Sequence, residues 1–381
     1  MDYLLSYFSG FEQVVLGVLV LVLFIQLFYY LYFFRRVGWP ATSKNKNYIE
    51  KKEPVSIIIC ARNESENLTN NLPLILEQDY PSFEVIVVND CSDDESQDIL
   101  EKFGEKYPKL KITQIKKDEK FTHGKKLALT IGIKAAKNEW LLLTDADCTP
   151  VNNKWLSSMQ RNFTEKNEIV LGYGGYKAEK GLLNKFIRFD TFFIALQYLS
   201  FAIAKVPYMG VGRNLAYRKS LFLKNKGFAS HSHIISGDDD IFVNEVANVK
   251  NTAVELSKDS FTLSIPKKTF NQWIFQKRRH FVSSYKYKFS HKALLGTEIF
   301  SRLTFYISVI FLLCLPHTWI IGLSALFLRL LVQLIVFNKA LKRLNEKKLL
   351  GLSFAFDIFI PLLNIFLYTV NIFNSKQHKW K

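Results

Sequence analysis

Val55-Ser-Ile-Ile-Ile-Cys-Ala-Arg-Asn-Glu64 opens on a run of β-branched side chains and closes on a polar tripeptide. Apolar residues in unbroken succession, without alternation, are the pattern of a strand covered on both faces, as in a parallel sheet. Arg62, Asn63 and Glu64 cannot continue such a buried strand, so they mark its carboxyl end. The pattern recurs twice: Phe83-Glu-Val-Ile-Val-Val88 ends in Asn89-Asp90, and Trp140-Leu-Leu-Leu-Thr144 ends in Asp145-Ala146-Asp147. Between these runs the spacing predicts helices over 64–78, 95–107 and 124–136, with another strand near 111–115. Strands alternating with helices define an α/β domain with a mostly parallel sheet.

Open parallel sheets bind ligands beyond the carboxyl ends of their strands. The three polar endings therefore predict a cleft lined by carboxylates, which repel one another unless a cation or hydrogen-bond donors are present. Asp145 and Asp147 stand where the extended chain turns, and they can direct oxygen atoms at one hard cation. Ligation by oxygen alone suits Mg²⁺ or Mn²⁺ rather than zinc. The four cysteines are far apart, without metal-ligand spacing, and fit free thiols in a reducing compartment.

On either side of this domain the composition becomes that of a membrane protein. Residues 14–34 are almost uninterruptedly apolar, Gln26 apart, and cover the roughly twenty residues a bilayer crossing needs. Arg35, Arg36, Lys44, Lys46, Lys51 and Lys52 follow this run, the reverse of a cleavable signal peptide, and predict a retained anchor in the cell membrane with a cytoplasmic domain after it. Residues 303–316 and 317–337 read as two spans hinged at Pro316, followed by a basic loop over 339–348. Segment 349–373 is long enough for one crossing, but Asp357, Pro361 and the basic end 376–381 favour a bent re-entrant or interfacial path. Residues 184–207 are apolar yet contain Lys185, Arg188, Asp190 and Lys205, and read as an amphipathic helix, buried or interfacial. The expected layout is an anchor over 1–36, a linker over 37–53, a catalytic domain over 54–296 and a membrane region over 297–381.

The formal charge of +17 gathers beside the hydrophobic segments and along 267–292, which points to anionic membrane lipids and away from nucleic acid. Lys277, Arg278, Lys286, Lys288 and Lys292 are expected at lipid headgroups.

Seven motifs in order, Ala61-Arg-Asn-Glu64, Val88-Asn-Asp-Cys-Ser-Asp-Asp94, Gly124-Lys-Lys126, Thr144-Asp-Ala-Asp147, Gly212-Arg-Asn-Leu-Ala-Tyr217, Gly237-Asp-Asp-Asp240 and Gln276-Lys-Arg-Arg279, resemble those of the family-2 glycosyltransferases of GT-A fold, which include cellulose, chitin and hyaluronan synthases. The resemblance implies a GT-A, Rossmann-like nucleotide-diphospho-sugar transferase domain with flanking transmembrane helices. It implies a nucleotide-sugar donor contacted by Ala61, Glu64, Asp90, Lys125, Asp145, Gln276 and Arg279, with Asp90 accepting the imino hydrogen of uracil. Asp147 and Asp145 become the ligands of Mn²⁺ or Mg²⁺. Inverting transfer needs a base on the acceptor hydroxyl, and the register admits Asp239 first, then Asp238 or Asp240. The implied reaction moves a sugar from a UDP-sugar to a lipid-linked or saccharide acceptor in envelope glycan synthesis. His280 stands where the family's Gln-x-x-Arg-Trp signature has tryptophan, which weakens the alternative of a processive polysaccharide synthase. A dinucleotide oxidoreductase or a nucleotidyltransferase would show a glycine-rich turn after the first strand, and a non-catalytic scaffold would not need the ordered acidic motifs.

Overall fold

The structure, a computed structural model, describes residues 9–39, 52–116, 124–234 and 236–373, without the side chains of 371–373. Most of the expected linker, with Lys44, Lys46 and Lys51, lies outside the described residues, as does the basic end 376–381. The chain divides into two compact units, Thr42–Tyr287 with Tyr368–Lys381, and Met1–Ala41 with Lys288–Leu367.

In the first unit, four strands follow the apolar runs: β1 (Val55–Ala61), β2 (Phe83–Asp90), β3 (Leu110–Ile115) and β4 (Trp140–Asp145). They pair in parallel, in the order β3-β2-β1-β4. Every residue of β1 is buried, because helices cover both faces of the sheet and no position is left for a polar side chain except Ser56, which donates to Glu84 at 2.7 Å. The register sets Cys60 of β1 opposite Asp145 and Ala61 opposite Asn89, so the polar strand endings share one edge.

The later elements are short. β5 (Cys148–Pro150), β6 (Ile169–Leu171), β7 (Gly174–Tyr176), β8 (Leu215–Arg218), β9 (Thr252–Val254) and β10 (Thr262–Ser264) extend the main sheet through β8, β6 and β9 and build a second, three-stranded sheet in the order β5-β10-β7. β8 runs antiparallel to both β4 and β6, the one reversal in an otherwise parallel sheet.

Leu182–Ile203 is a helix long and apolar enough to cross a bilayer, yet it is buried along nearly its whole length in the first unit. Its apolar surface is used internally: Phe186 packs edge-on against Trp273 with centroids 5.0 Å apart, and Asp190 pairs with Lys277 at 2.5 and 2.6 Å. Lys277 is therefore a buried ion-pair partner and does not lie at lipid headgroups.

The second unit holds helices Gly10–Gly38, with a π-helical stretch over Tyr29–Phe34, then Phe289–Leu313, Trp319–Arg343 and the helix Ser353–Phe373 as far as Leu367. The protein is membrane-associated: each of these helices is long and apolar enough to span, and Phe24, Phe300, Phe327 and Phe366 stand outward and exposed. The second of them starts at Phe289 rather than at 303 because Glu298 and Arg302, which depress the hydropathy there, pair with each other at 2.6 Å inside the unit. Arg302 and Arg329 also reach Asp357, at 3.1 and 2.8 Å, and Arg329 donates to Gln26 at 2.9 Å. The last segment, for which a bent re-entrant or interfacial path is expected, forms one helix that continues through Pro361. Pro361 has no N–H for the carbonyl of Asp357, and Arg302 Nη1 lies 3.4 Å from that oxygen in its place.

Candidate active site

The loops after β1 and β2 are laced together by short polar side chains. Asn63 adopts a positive φ of 54°, and its N–H donates to Ser92 Oγ at 2.9 Å while its Oδ1 accepts from the Asp93 N–H at 2.8 Å. Asp94 accepts from the N–H groups of Ser65 and Ser96, each at 3.0 Å. This bracing holds Ala61, Glu64 and Asp90 at the sheet edge. Ala61 and Asp90 are buried; Glu64 is partly open, accepts from Asn67 at 2.5 Å and is pushed above the usual carboxylate range by burial.

At the end of β4 the carboxylates of Asp145 and Asp147 converge with the Cys148 thiol, their potential ligand atoms within 4.8 Å of one another. Burial first, then Asp145, raises Asp147 above the ordinary carboxylate range, with Arg213 opposing. The Cys148 thiol is buried, held protonated by that burial and by the two aspartates, and 2.9 Å from Ser264 Oγ. Its sulfur is a soft donor, so a hard divalent cation such as Mn²⁺ or Mg²⁺ is matched by the oxygens of Asp145 and Asp147, and these residues fit it.

Lys125, the first residue of the Lys125–Ala135 helix, places Nζ 2.9 Å from Asp145 Oδ1 and 3.0 Å from Asp238 Oδ2. Burial works against its charge, but Asp145, Asp238 and Asp239 outweigh it and keep the ammonium protonated well above the usual amine range. The neighbouring Lys126 takes a different part. It donates to the carbonyls of His231 and Ile234 at 2.7 and 2.9 Å, a strut under the loop leading to the acidic cluster, and burial lowers it to about 8.

The cluster begins at Gly237, whose φ of +95° is open to glycine and whose Cβ would meet Ile241 at 2.3 Å. The three aspartates then separate by environment. Asp238 is buried, which pushes it up, but Lys125 outweighs this and holds it below the usual range. Asp240 is buried and saturated: one oxygen accepts from the Ile241 N–H at 2.8 Å, the other from the Ser283 hydroxyl and from Tyr287 Oη at 2.7 Å. Asp239 remains partly open, accepts from the Gly212 N–H at 2.6 Å and the Asp240 N–H at 2.8 Å, and is raised to about 7 by burial, then by Asp238 and Asp240. Of the three, Asp239 alone combines access with a proton affinity near neutrality, the property of a general base.

Gln276 and Arg279 lie on the Phe270–Ser284 helix, away from the strand endings in sequence but tied to the cluster. The Arg279 carbonyl accepts from Ser236 Oγ at 3.1 Å, and Gln276 Nε2 donates to Tyr176 Oη at 3.2 Å. His280 is exposed, whereas Trp273 is buried against Phe186 and Phe270 and offers no open platform.

The structure thus brings Lys125, Asp145, Asp238 and Asp239 into one constellation, with Asp147 beside it. The contacts described for Ala61, Glu64, Asp90, Gln276 and Arg279 do not reach these four side chains. Sequence reasoning gave no role to Arg213, Lys126, Ser283 or Tyr287. Arg213 and Lys126 sit inside two of the seven motifs; Ser283 and Tyr287 act through tertiary partners that no local pattern reveals.

The α/β unit thus carries an Asp-x-Asp turn, a bridging lysine and a buried acidic cluster together. Residues 56–225 match the Glycosyl transferase family 2 description, and this segment of the chain is a family 2 glycosyltransferase domain. The chain is 32% identical over 185 residues to the probable glycosyltransferase YdaM of Bacillus subtilis (strain 168), covering 46% of this chain and 42% of that protein. It is 32% identical over 102 residues to the poly-beta-1,6-N-acetyl-D-glucosamine synthase of Staphylococcus epidermidis, covering 27% of this chain and 24% of that one. The chain therefore matches less than half the length of either relative. Among solved structures, the mannosyltransferase PcManGT from Pyrobaculum calidifontis, in complex with GDP-Man and Mn²⁺, shares the fold with a TM-score of 0.60 at 17% identity, over 96% of this chain and 99% of that one.

Proposed function

We propose that this protein is a membrane-bound, inverting glycosyltransferase that moves one sugar from a nucleotide-diphosphate sugar, a UDP-sugar on the strength of Asp90, to a lipid-linked or saccharide acceptor in envelope glycan synthesis. The observation that carries the reading is the Lys125 bridge, which joins the Asp-x-Asp turn to the acidic cluster at 2.9 and 3.0 Å. Donor chemistry and base chemistry then share one site.

Asp239 takes the proton of the acceptor hydroxyl as its oxygen forms a bond to the anomeric carbon. The bond from that carbon to the diphosphate oxygen breaks on the opposite face, and the nucleoside diphosphate leaves with the electron pair. Lys125 and Arg279 offset the charge that develops on it. Asp145 and Asp147 would hold Mn²⁺ or Mg²⁺, whose charge neutralises the diphosphate when bound. The catalytic domain faces the cytoplasm in this reading, where nucleotide sugars are available, and the acceptor is presented at the membrane. Single addition is favoured over processive synthesis because His280 replaces the indole platform and Trp273 is buried.

The test is transfer of radiolabelled sugar from UDP-, GDP- and dTDP-sugars by membranes containing the protein, with products partitioned between organic and aqueous phases. Label in the organic phase identifies a lipid-linked acceptor. Long aqueous polymer instead would replace single addition by processive synthesis, and no incorporation above the Asp239→Asn control would reject the reading.

A further inference from the structure

Arg213 belongs to the Gly212–Asn214 turn and has no role in the chemistry above. Its backbone is pinned from both sheets. The carbonyl accepts from Thr144 Oγ1 at 3.1 Å, one residue before Asp145, and from Thr262 Oγ1 of β10 at 2.9 Å. Its guanidinium lies over the Tyr176 ring, 4.7 Å from the centroid, and Tyr176 is the residue that Gln276 donates to. The ring covers the guanidinium, and Gly174 leaves room for the base of the side chain, since a Cβ there would stand 3.0 Å from Arg213 Cβ. The positive charge is felt at Asp147.

One atom in this arrangement is costly as it stands. Arg213 Nη1 is buried and has no hydrogen-bond partner among the described residues. A buried charged donor without an acceptor is unfavourable, and a guanidinium fork matches the paired oxygens of a phosphate. A carboxylate partner from this protein would satisfy it but would add to the negative charge already held by Asp145 and Asp147. A phosphate that arrives with the donor satisfies it only in the bound state.

We propose that Arg213 is a diphosphate-binding residue of the donor site, its guanidinium pre-oriented by Tyr176 to meet the phosphate oxygens beside Asp147. This rests on the glycosyltransferase reading and adds a residue to it. Gln276 then acts indirectly, by holding Tyr176 Oη and with it the ring under the guanidinium.

The experiment is calorimetric binding of UDP, GDP, UMP and uridine to the full-length protein in detergent with Mn²⁺, comparing wild type, Arg213→Gln and Arg213→Lys. The expected result is an affinity for UDP or GDP about ten- to hundred-fold weaker in Arg213→Gln, with a smaller loss in Arg213→Lys and little change for uridine. Arg213→Lys keeps the charge and supplies the comparison should Arg213→Gln not fold, as judged by its melting curve. Unchanged diphosphate binding in both variants overturns the assignment, as does a loss in Arg213→Gln that is as large for uridine as for UDP. Absence of binding to any nucleoside diphosphate by the wild type overturns the glycosyltransferase reading itself.

Discussion

Lys125 and Asp238 form an ion pair of 3.0 Å across the catalytic unit, and the same ammonium lies 2.9 Å from Asp145. One cation therefore serves two carboxylates from separate motifs. Removing it leaves Asp145 and Asp238 without their shared partner at the point where a diphosphate must approach. Lys125→Met is expected to lower kcat/KM by about 10²- to 10³-fold with the fold retained, by analogy with the loss of one charge-stabilising donor. Steady-state kinetics beside a circular dichroism melt check this; Lys125→Arg recovers part of the activity.

Asp239, raised to about 7, predicts the pH dependence. A base must be ionised to accept a proton, so kcat/KM falls as pH drops below about 7, approaching tenfold per unit, and levels off above it. The acid limb is expected to vanish in Asp239→Asn along with nearly all activity. A profile flat between pH 5 and 8, roughly the window around that value, would remove Asp239 from the role.

Gly212 is the contact point between the turn and the base. A Cβ at this position would stand 3.3 Å from Asp239 Oδ2 and 3.5 Å from Lys125 Nζ, so a methyl group touches the lysine and must push the Asp239 carboxylate back slightly. Gly212→Ala is expected to reduce kcat by about tenfold while the melting temperature moves by only a few degrees, because a displacement of a fraction of an ångström matters to positioning more than to packing.

The pair Asp190–Lys277 is buried on both sides and lies at 2.5 Å. Removing one partner strands the other charge. Lys277→Met or Asp190→Leu alone should cost about 3–5 kcal/mol of stability, and the double variant should recover much of that loss. Denaturation of the two single variants and the double variant in one detergent gives the cycle.

The first half of the catalytic unit was legible because each strand there is a long apolar run covered on both faces, and each helix between strands repeats every three to four residues. β5 to β10 were not, since three or four residues carry no measurable period. Lys277 was misplaced for a different reason: a lysine in a basic stretch looks solvated until its partner, Asp190, comes from another helix. The same blindness to partners shortened the helix Phe289–Leu313, where Glu298 and Arg302 read as a polar boundary although they neutralise each other. At the site, spacing could propose three aspartates, but only burial and donors divide them, with Lys125 taking Asp238 and Ser283 with Tyr287 taking Asp240.

The most direct test is release of nucleoside diphosphate by the purified, detergent-solubilised protein across UDP-, GDP- and dTDP-sugars, with and without Mn²⁺, in wild type and Asp147→Asn. The account predicts release from one donor class, dependent on the added cation and on Asp147. Release that is indifferent to both, or none from any donor in the presence of membrane lipid acceptors and a folded protein, would contradict it.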